Sequence, residues 1–212
     1  MTKKIILGAV ILMFGMVSSL SAGLNTQYGI RVNDTLPTKP SNSYITVGYK
    51  NSSHKNNIIS TGWEYAFKKA ILEFNNESRN AGSIARFLWR GNYSPDIKLE
   101  YSYLTSSIVA KTNIGDRYHG VGKKLIINSN LDRTLSYTDK KTVAKHELMH
   151  AIGFRHSRTG SEISDGSVEV PNTNSFWEWQ YYGKSIMQEG FHNLPENLSE
   201  LDKRALKYIF PN

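Results

Sequence analysis

A chain of 212 residues with no cysteine and 39% hydrophobic side chains is long enough to bury one sizeable core, and it cannot be a disulfide-stapled scaffold or carry a lipid on cysteine. It holds 26 basic against 18 acidic residues, a formal charge of +8, and residues 24–212 retain 24 minus 18, or +6. No basic run exceeds a pair such as Lys123-Lys124 or Lys140-Lys141, so weak attraction to anionic surfaces or acidic substrates is expected, and a nucleic-acid partner gains no support.

The first residues, Met1 to Lys4, are basic, Ile5 to Val17 form an apolar run, and Ser18 to Gly23 are mostly small. That is the layout of a signal peptide over 1–23, with export to the periplasm or the medium as its consequence. Thirteen apolar residues fall short of the ~20 that a membrane span needs, and no later stretch is longer, so no stable membrane insertion is expected after cleavage. Residues 24–43 are polar, contain Pro37 and Pro40, and read as a lead-in or short pro-segment. Tyr44 to Val47 form a strand core with Gly48 and Tyr49 at its end. Trp63, Phe67, Ala70, Ile71 and Phe74 then recur at three- and four-residue intervals, which predicts an amphipathic helix over about 61–77. Strand-like runs follow near 84–90, 96–104, 107–112 and 123–128. A helix is predicted from Thr138-Asp139 to Gly153, and a last one from Ser199, whose capping box uses Asp202; Leu201, Ala205, Leu206, Ile209 and Phe210 form its apolar face, and Pro211 ends it. With no internal repeat, residues 44–212 read as one α+β domain, and a monomer is expected.

Within the penultimate predicted helix lies His146-Glu147-Leu148-Met149-His150, followed by Gly153 and His156. Residues four apart share a helix face, so His146 and His150 can aim ring nitrogens at one point. In an unbroken helix His156 would lie a further ~9 Å along the axis and about 240° around it, too far for a shared ion bound at about 2.0–2.1 Å. Gly153, which has no Cβ, can take the left-handed conformation that ends the helix and turns His156 back. Three imidazoles leave one tetrahedral position for water, the arrangement of a catalytic zinc. Glu147 is then the candidate general base, taking a proton from the zinc-polarised water as it attacks a peptide carbonyl and returning it to the departing amine. The alternative, satisfied helix histidines beside a solvated glutamate, gives no reason for Gly153 and His156 to fall where they do.

The pattern His-Glu-x-x-His-x-x-Gly-x-x-His, with Ser185-Ile186-Met187 beginning 29 residues after His156, resembles the metzincin zinc peptidases. Ser157 is similar to the matrixin pattern, while Ile152 to Ser157 and Ser164 to Pro171 resemble the dual-action HEIGH metallopeptidases, although this chain has Leu148-Met149 where that name spells Ile-Gly. The resemblance implies a twisted mixed sheet, an active-site helix and a C-terminal helix, in two unequal lobes around a cleft. It implies one zinc on His146, His150 and His156, with Met187 as an apolar floor beneath the imidazoles. It also implies a protein or peptide substrate pairing with an edge strand just ahead of the active helix. Here that position is the run containing Gly122, Lys123, Lys124 and Leu125, which on physical grounds alone is equally a plain edge strand guarded by lysines. Two residues after Met187, where some metzincins carry a Tyr, this chain has Glu189.

Phe176-Trp177-Glu178-Trp179-Gln180-Tyr181-Tyr182 holds five rings, read as packing ahead of a binding subsite. His54, His119 and His192 read as surface or hydrogen-bonded histidines. Calcium is common in this clan, but Asp132, Asp165 and Glu169 form no recognisable calcium loop. A competing function is a non-catalytic zinc-containing binding protein or adhesin on the same scaffold, against which the retained Glu147 argues.

Overall fold

The computed structural model describes residues 31–33, 44–91, 93–105, 108–115, 120–156, 167–169, 185–187 and 194–212. The leader 1–23, His119, Ser157, Asp165, the aromatic run 176–182, Glu189 and His192 lie outside them. In chain order the elements are β1 (Arg31–Asn33), β2 (Ile45–Tyr49), α1 (Ser52–Ser60), α2 (Trp63–Asn80), β3 (Phe87–Trp89), β4 (Ile97–Ser102), β5 (Ala110–Thr112), β6 (Lys124–Asn128), a 3-10 turn (Asp132–Thr134), α3 (Tyr137–Ala151), β7 (Ser167–Glu169) and α4 (Glu200–Ile209). No helix among the described residues is long and apolar enough to cross a membrane.

A five-stranded sheet runs in the order β3-β2-β4-β6-β5, parallel except for β5, which returns antiparallel to β6. Val47, Tyr49, Phe87, Ile97, Leu99, Leu125 and Ile127 point to one face of the sheet and are buried with Trp63, Phe67, Ala70 and Phe74 of α2. The apolar face read from the sequence is therefore the one that packs. A separate two-stranded ladder pairs Arg31 with Glu169 and Asn33 with Ser167, so part of the polar lead-in is a strand.

The structure departs from the sequence reading in three further places. Helix α1 was not expected: its residues are mostly polar, and its one buried side chain is Ile58, yet the Asn51 side chain caps it by accepting from the His54 N–H. Helix α3 begins earlier than Thr138-Asp139. Ser136 is its N-cap and Asp139 the third residue of a reciprocal capping box, each side chain accepting from the other's backbone N–H at 3.1 Å. Finally, the run with Lys124 and Leu125 is not an edge. Strand β6 bonds to β4 on one side and β5 on the other, and the Gly122 N–H donates to the Ala151 carbonyl at 2.8 Å. Among the described residues the short return strand β5 occupies the edge beside Lys124 and Leu125, and Ala151 takes the Gly122 N–H, so the run Gly122, Lys123, Lys124 and Leu125 is not the open edge that was expected.

Helices α2 and α3 are bolted together by charge. The Lys145 ammonium is fully buried, 2.9 Å from Glu77 Oε1 and 3.3 Å from Glu73 Oε2, and donates to the Glu196 carbonyl at 2.7 Å. Lys141 bridges Glu73 and Glu196 at 3.2 and 3.1 Å. Asp132, considered above for calcium, accepts from Trp63 Nε1 and Tyr101 Oη and pairs with Lys140 at 2.9 Å, which accounts for its burial without an ion.

Candidate metal and catalytic site

The site is built on the last two turns of α3 and the reversal after it. Ile152 ends the helix, and Gly153 takes φ 101°, a left-handed value that favours glycine. The Gly153 and Phe154 N–H groups donate back to the His150 and Met149 carbonyls at 3.0 and 3.1 Å, so the final turn is closed as the chain doubles back. The reversal brings His156 Nε2 to 3.1 Å from His146 Nε2 and 3.0 Å from His150 Nε2.

The other ring nitrogens fix the chemistry of that convergence. His146 Nδ1–H donates to the Ile186 carbonyl at 2.6 Å, and His150 Nδ1–H donates to the Phe154 carbonyl at 2.7 Å. Each backbone acceptor selects the tautomer that leaves Nε2 as a lone pair, so at least two lone pairs face one point. Nitrogens sharing a tetrahedral ion at ~2.05 Å lie about 3.3 Å apart, close to the separations found here. The three residues, with ligand atoms within 4.8 Å of one another, could hold a metal ion. Burial lowers the pKa of His146, with the Ile186 bond and the Asp202 charge opposing. Burial, then the proximity of His146 and His156, lowers that of His150 well below its ordinary value. Both rings are thereby kept neutral, the form a metal requires.

Glu147 is buried beside this cluster, and burial raises its carboxyl pKa to about 7. The Thr112 hydroxyl of β5 faces it and opposes that rise in part. Neither Glu147 Oε2 nor Thr112 Oγ1 completes a well-aligned hydrogen bond. A buried carboxyl with an uncommitted oxygen and a pKa near neutrality is suited to carrying a proton.

Met187 is fully buried in the Ser185–Met187 turn, whose Ile186 carbonyl is the one gripping His146. Asp202 of α4 anchors this turn from behind. Its Oδ1 accepts from Ser185 Oγ at 2.6 Å; its Oδ2 accepts from the Ile186 N–H at 3.1 Å, the Ser199 N–H at 2.9 Å and Ser199 Oγ at 2.8 Å. The Ser199-Asp202 capping box thus also supports the turn that orients His146. Sequence reasoning found Asp202 only as a cap, and it missed Thr112 and the Ile186 and Phe154 carbonyls, which carry no local signature. His54, read as a hydrogen-bonded histidine, accepts from the Tyr101 N–H through Nδ1 at 3.0 Å.

The fold class is a mixed α+β domain on a mostly parallel five-stranded sheet. It is similar to two solved structures of myroilysin, one at TM-score 0.52 and 16% identity over 87% of this chain and 99% of that one, the other at TM-score 0.45 and 15% identity over 82% and 85%. No family model and no curated protein sequence matches the chain.

Proposed function

We propose that this chain is an exported zinc-dependent endopeptidase of the metzincin kind, matrixin-like or HEIGH-like in its motif. The observation that carries the reading is the convergence of three Nε2 atoms, two with Nδ1 committed to backbone carbonyls, beside a buried Glu147 with a free oxygen. His146, His150 and His156 would hold the ion, which when bound polarises a water and a carbonyl oxygen. Glu147 accepts the proton released in the attack on the peptide carbonyl and delivers it to the leaving amine. Ile186 and Phe154 keep the imidazoles oriented and neutral. Among the described residues strand β5 is paired on one side only, and Thr112 brings its end against Glu147, so an extended polypeptide adding to this edge would pass the carboxylate. Export rests on the basic, apolar and small-residue leader 1–23.

Casein digestion with and without a zinc chelator tests the reading. Wild type cleaves and the chelator stops it; Glu147→Ala keeps its zinc and loses cleavage; His150→Ala loses both. A Glu147→Ala protein as active as wild type refutes the role of the base. Zinc bound by a wild type that cleaves nothing favours the binding-protein alternative.

A further inference from the structure

The sheet face turned away from the helices collects cations that are scattered along the chain. Strand alternation places Thr46, Gly48, Leu88, Lys98, Glu100, Lys111, Lys124 and Ile126 on this face, opposite the buried set. Lys98 stands directly across from Lys124, and Gly48, which has no side chain, lies across from Lys98 on the other flank. Arg90, one residue past β3, donates its N–H to the Val47 carbonyl and extends this row. In the next row Glu100 and Lys111 flank Ile126, and Lys50 reaches Glu100 from the end of β2.

Five cations thus face two carboxylates, a balance of +3. Asp96, at one margin, is held by the Thr46 N–H and hydroxyl, both at 2.7 Å. Glu100, at the centre, binds Lys50 and Lys124 at 3.1 and 3.2 Å and holds their ammonium groups above the sheet. Arg90, Lys98 and Lys111 are exposed, and their side chains have no ion pair among the described residues. Like charges opposed across a ladder, such as Lys98 and Lys124, destabilise a sheet, and Glu100 offsets this for Lys124 and not for Lys98.

We infer that this outer face docks a linear acidic polysaccharide, sulfated or carboxylated. The cations form a band crossing the strands from β3 to β5, four strand spacings of about 4.8 Å, or roughly 19 Å. That shape fits an extended polyanion. Tyr44, one residue before β2 and half exposed, is the one ring that strand alternation adds to this face, too few to stack successive bases, which disfavours single-stranded nucleic acid. Leu88 and Tyr44 are the exposed large apolar side chains there, both toward the β3 margin, which disfavours insertion into a lipid surface.

Binding of the full chain to heparin and to polygalacturonate across a range of NaCl concentrations is the test. Each cation that displaces condensed counterions adds about 0.7–0.9 to the salt slope on a nucleic acid, and the same release acts on any linear polyanion. The triple variant Arg90→Gln/Lys98→Gln/Lys111→Gln should lower the slope by ~2–3 and weaken heparin binding about 100-fold at 0.15 M salt. A control triple on helical surfaces, Lys69→Gln/Arg204→Gln/Lys207→Gln, removes the same charge and should bind as wild type. Glu100→Gln frees two ammonium groups and should raise the salt needed for elution, with circular dichroism confirming each fold. Equal losses in the two triples would overturn the inference in favour of net charge alone. Tighter patch-dependent binding to oligothymidylate or phosphatidylserine vesicles than to either polysaccharide would overturn the choice of ligand. Glu147→Ala should bind as wild type, which keeps this test separate from that of the peptidase reading.

Discussion

Replacing Asp202 by alanine removes an acceptor for four donors at once. Two of them, the Ile186 and Ser199 N–H groups, are backbone donors that this carboxylate satisfies at 3.1 and 2.9 Å. Leaving a buried donor unsatisfied costs about 1–3 kcal/mol, while the N-cap bond from the Asp202 N–H to Ser199 Oγ does not depend on the carboxylate. For two stranded donors a destabilisation of about 2–6 kcal/mol is therefore expected, a large share of the ~5–15 kcal/mol that holds a typical domain. The Ile186 carbonyl that orients His146 belongs to the loosened turn, so zinc affinity should also fall by about tenfold, the lower end for groups supporting a ligand. Urea unfolding measures the first effect, and competition with a chromogenic chelator the second. Asp202→Asn, which keeps one carbonyl acceptor, should recover most of the affinity. An Asp202→Ala protein that loses under 1 kcal/mol and binds zinc like wild type would refute the claim that this carboxylate supports the site.

Lys145→Ala takes from Glu77 its ammonium partner while Glu73 keeps Lys141, and losing one member of a buried ion cluster should cost about 3 kcal/mol, the lower end for a broken buried pair, readable in the urea midpoint. Gly153→Ala forces a side chain into φ 101°, at about 1–2 kcal/mol, and should reduce zinc occupancy because the turn carries His156. The Glu100 carboxyl is penalised by burial, but bonds and charges from Lys50 and Lys124 outweigh that and hold its pKa below the ordinary 4.5. Since the unfolded chain then protonates first, this stabilisation is whole above pH 4.5 and is lost as pH falls through the lower folded value. Glu100→Gln should therefore flatten the acid limb of stability measured against pH.

The site was legible where its geometry is local. His146 and His150 one helical turn apart, a glycine to break the helix and His156 beyond it define a convergence that three bond lengths can check, and the rings meet as expected. Helix α2 was likewise readable from its apolar spacing. Strand order was not. Whether Lys124 to Asn128 lies at an edge or inside depends on where Ala110–Thr112 returns, a pairing across an intervening loop that no local pattern encodes. The same holds for Asp202, whose capping box looks complete within α4 while its remaining lone pairs serve a turn 16 residues earlier. The basic outer face was hidden for a further reason: no run of lysines exceeds a pair in sequence, and only parallel registration of β2, β4 and β6 brings Lys50, Lys98 and Lys124 together.

The most direct measurement is the metal content and coordination of the purified chain, by elemental analysis and zinc-edge X-ray absorption. One zinc per chain, bound by three imidazole nitrogens and one oxygen, retained in Glu147→Ala and lost in His150→Ala, is the expected result. A chain that binds no stoichiometric zinc, or holds it unchanged without His150, contradicts the central claim.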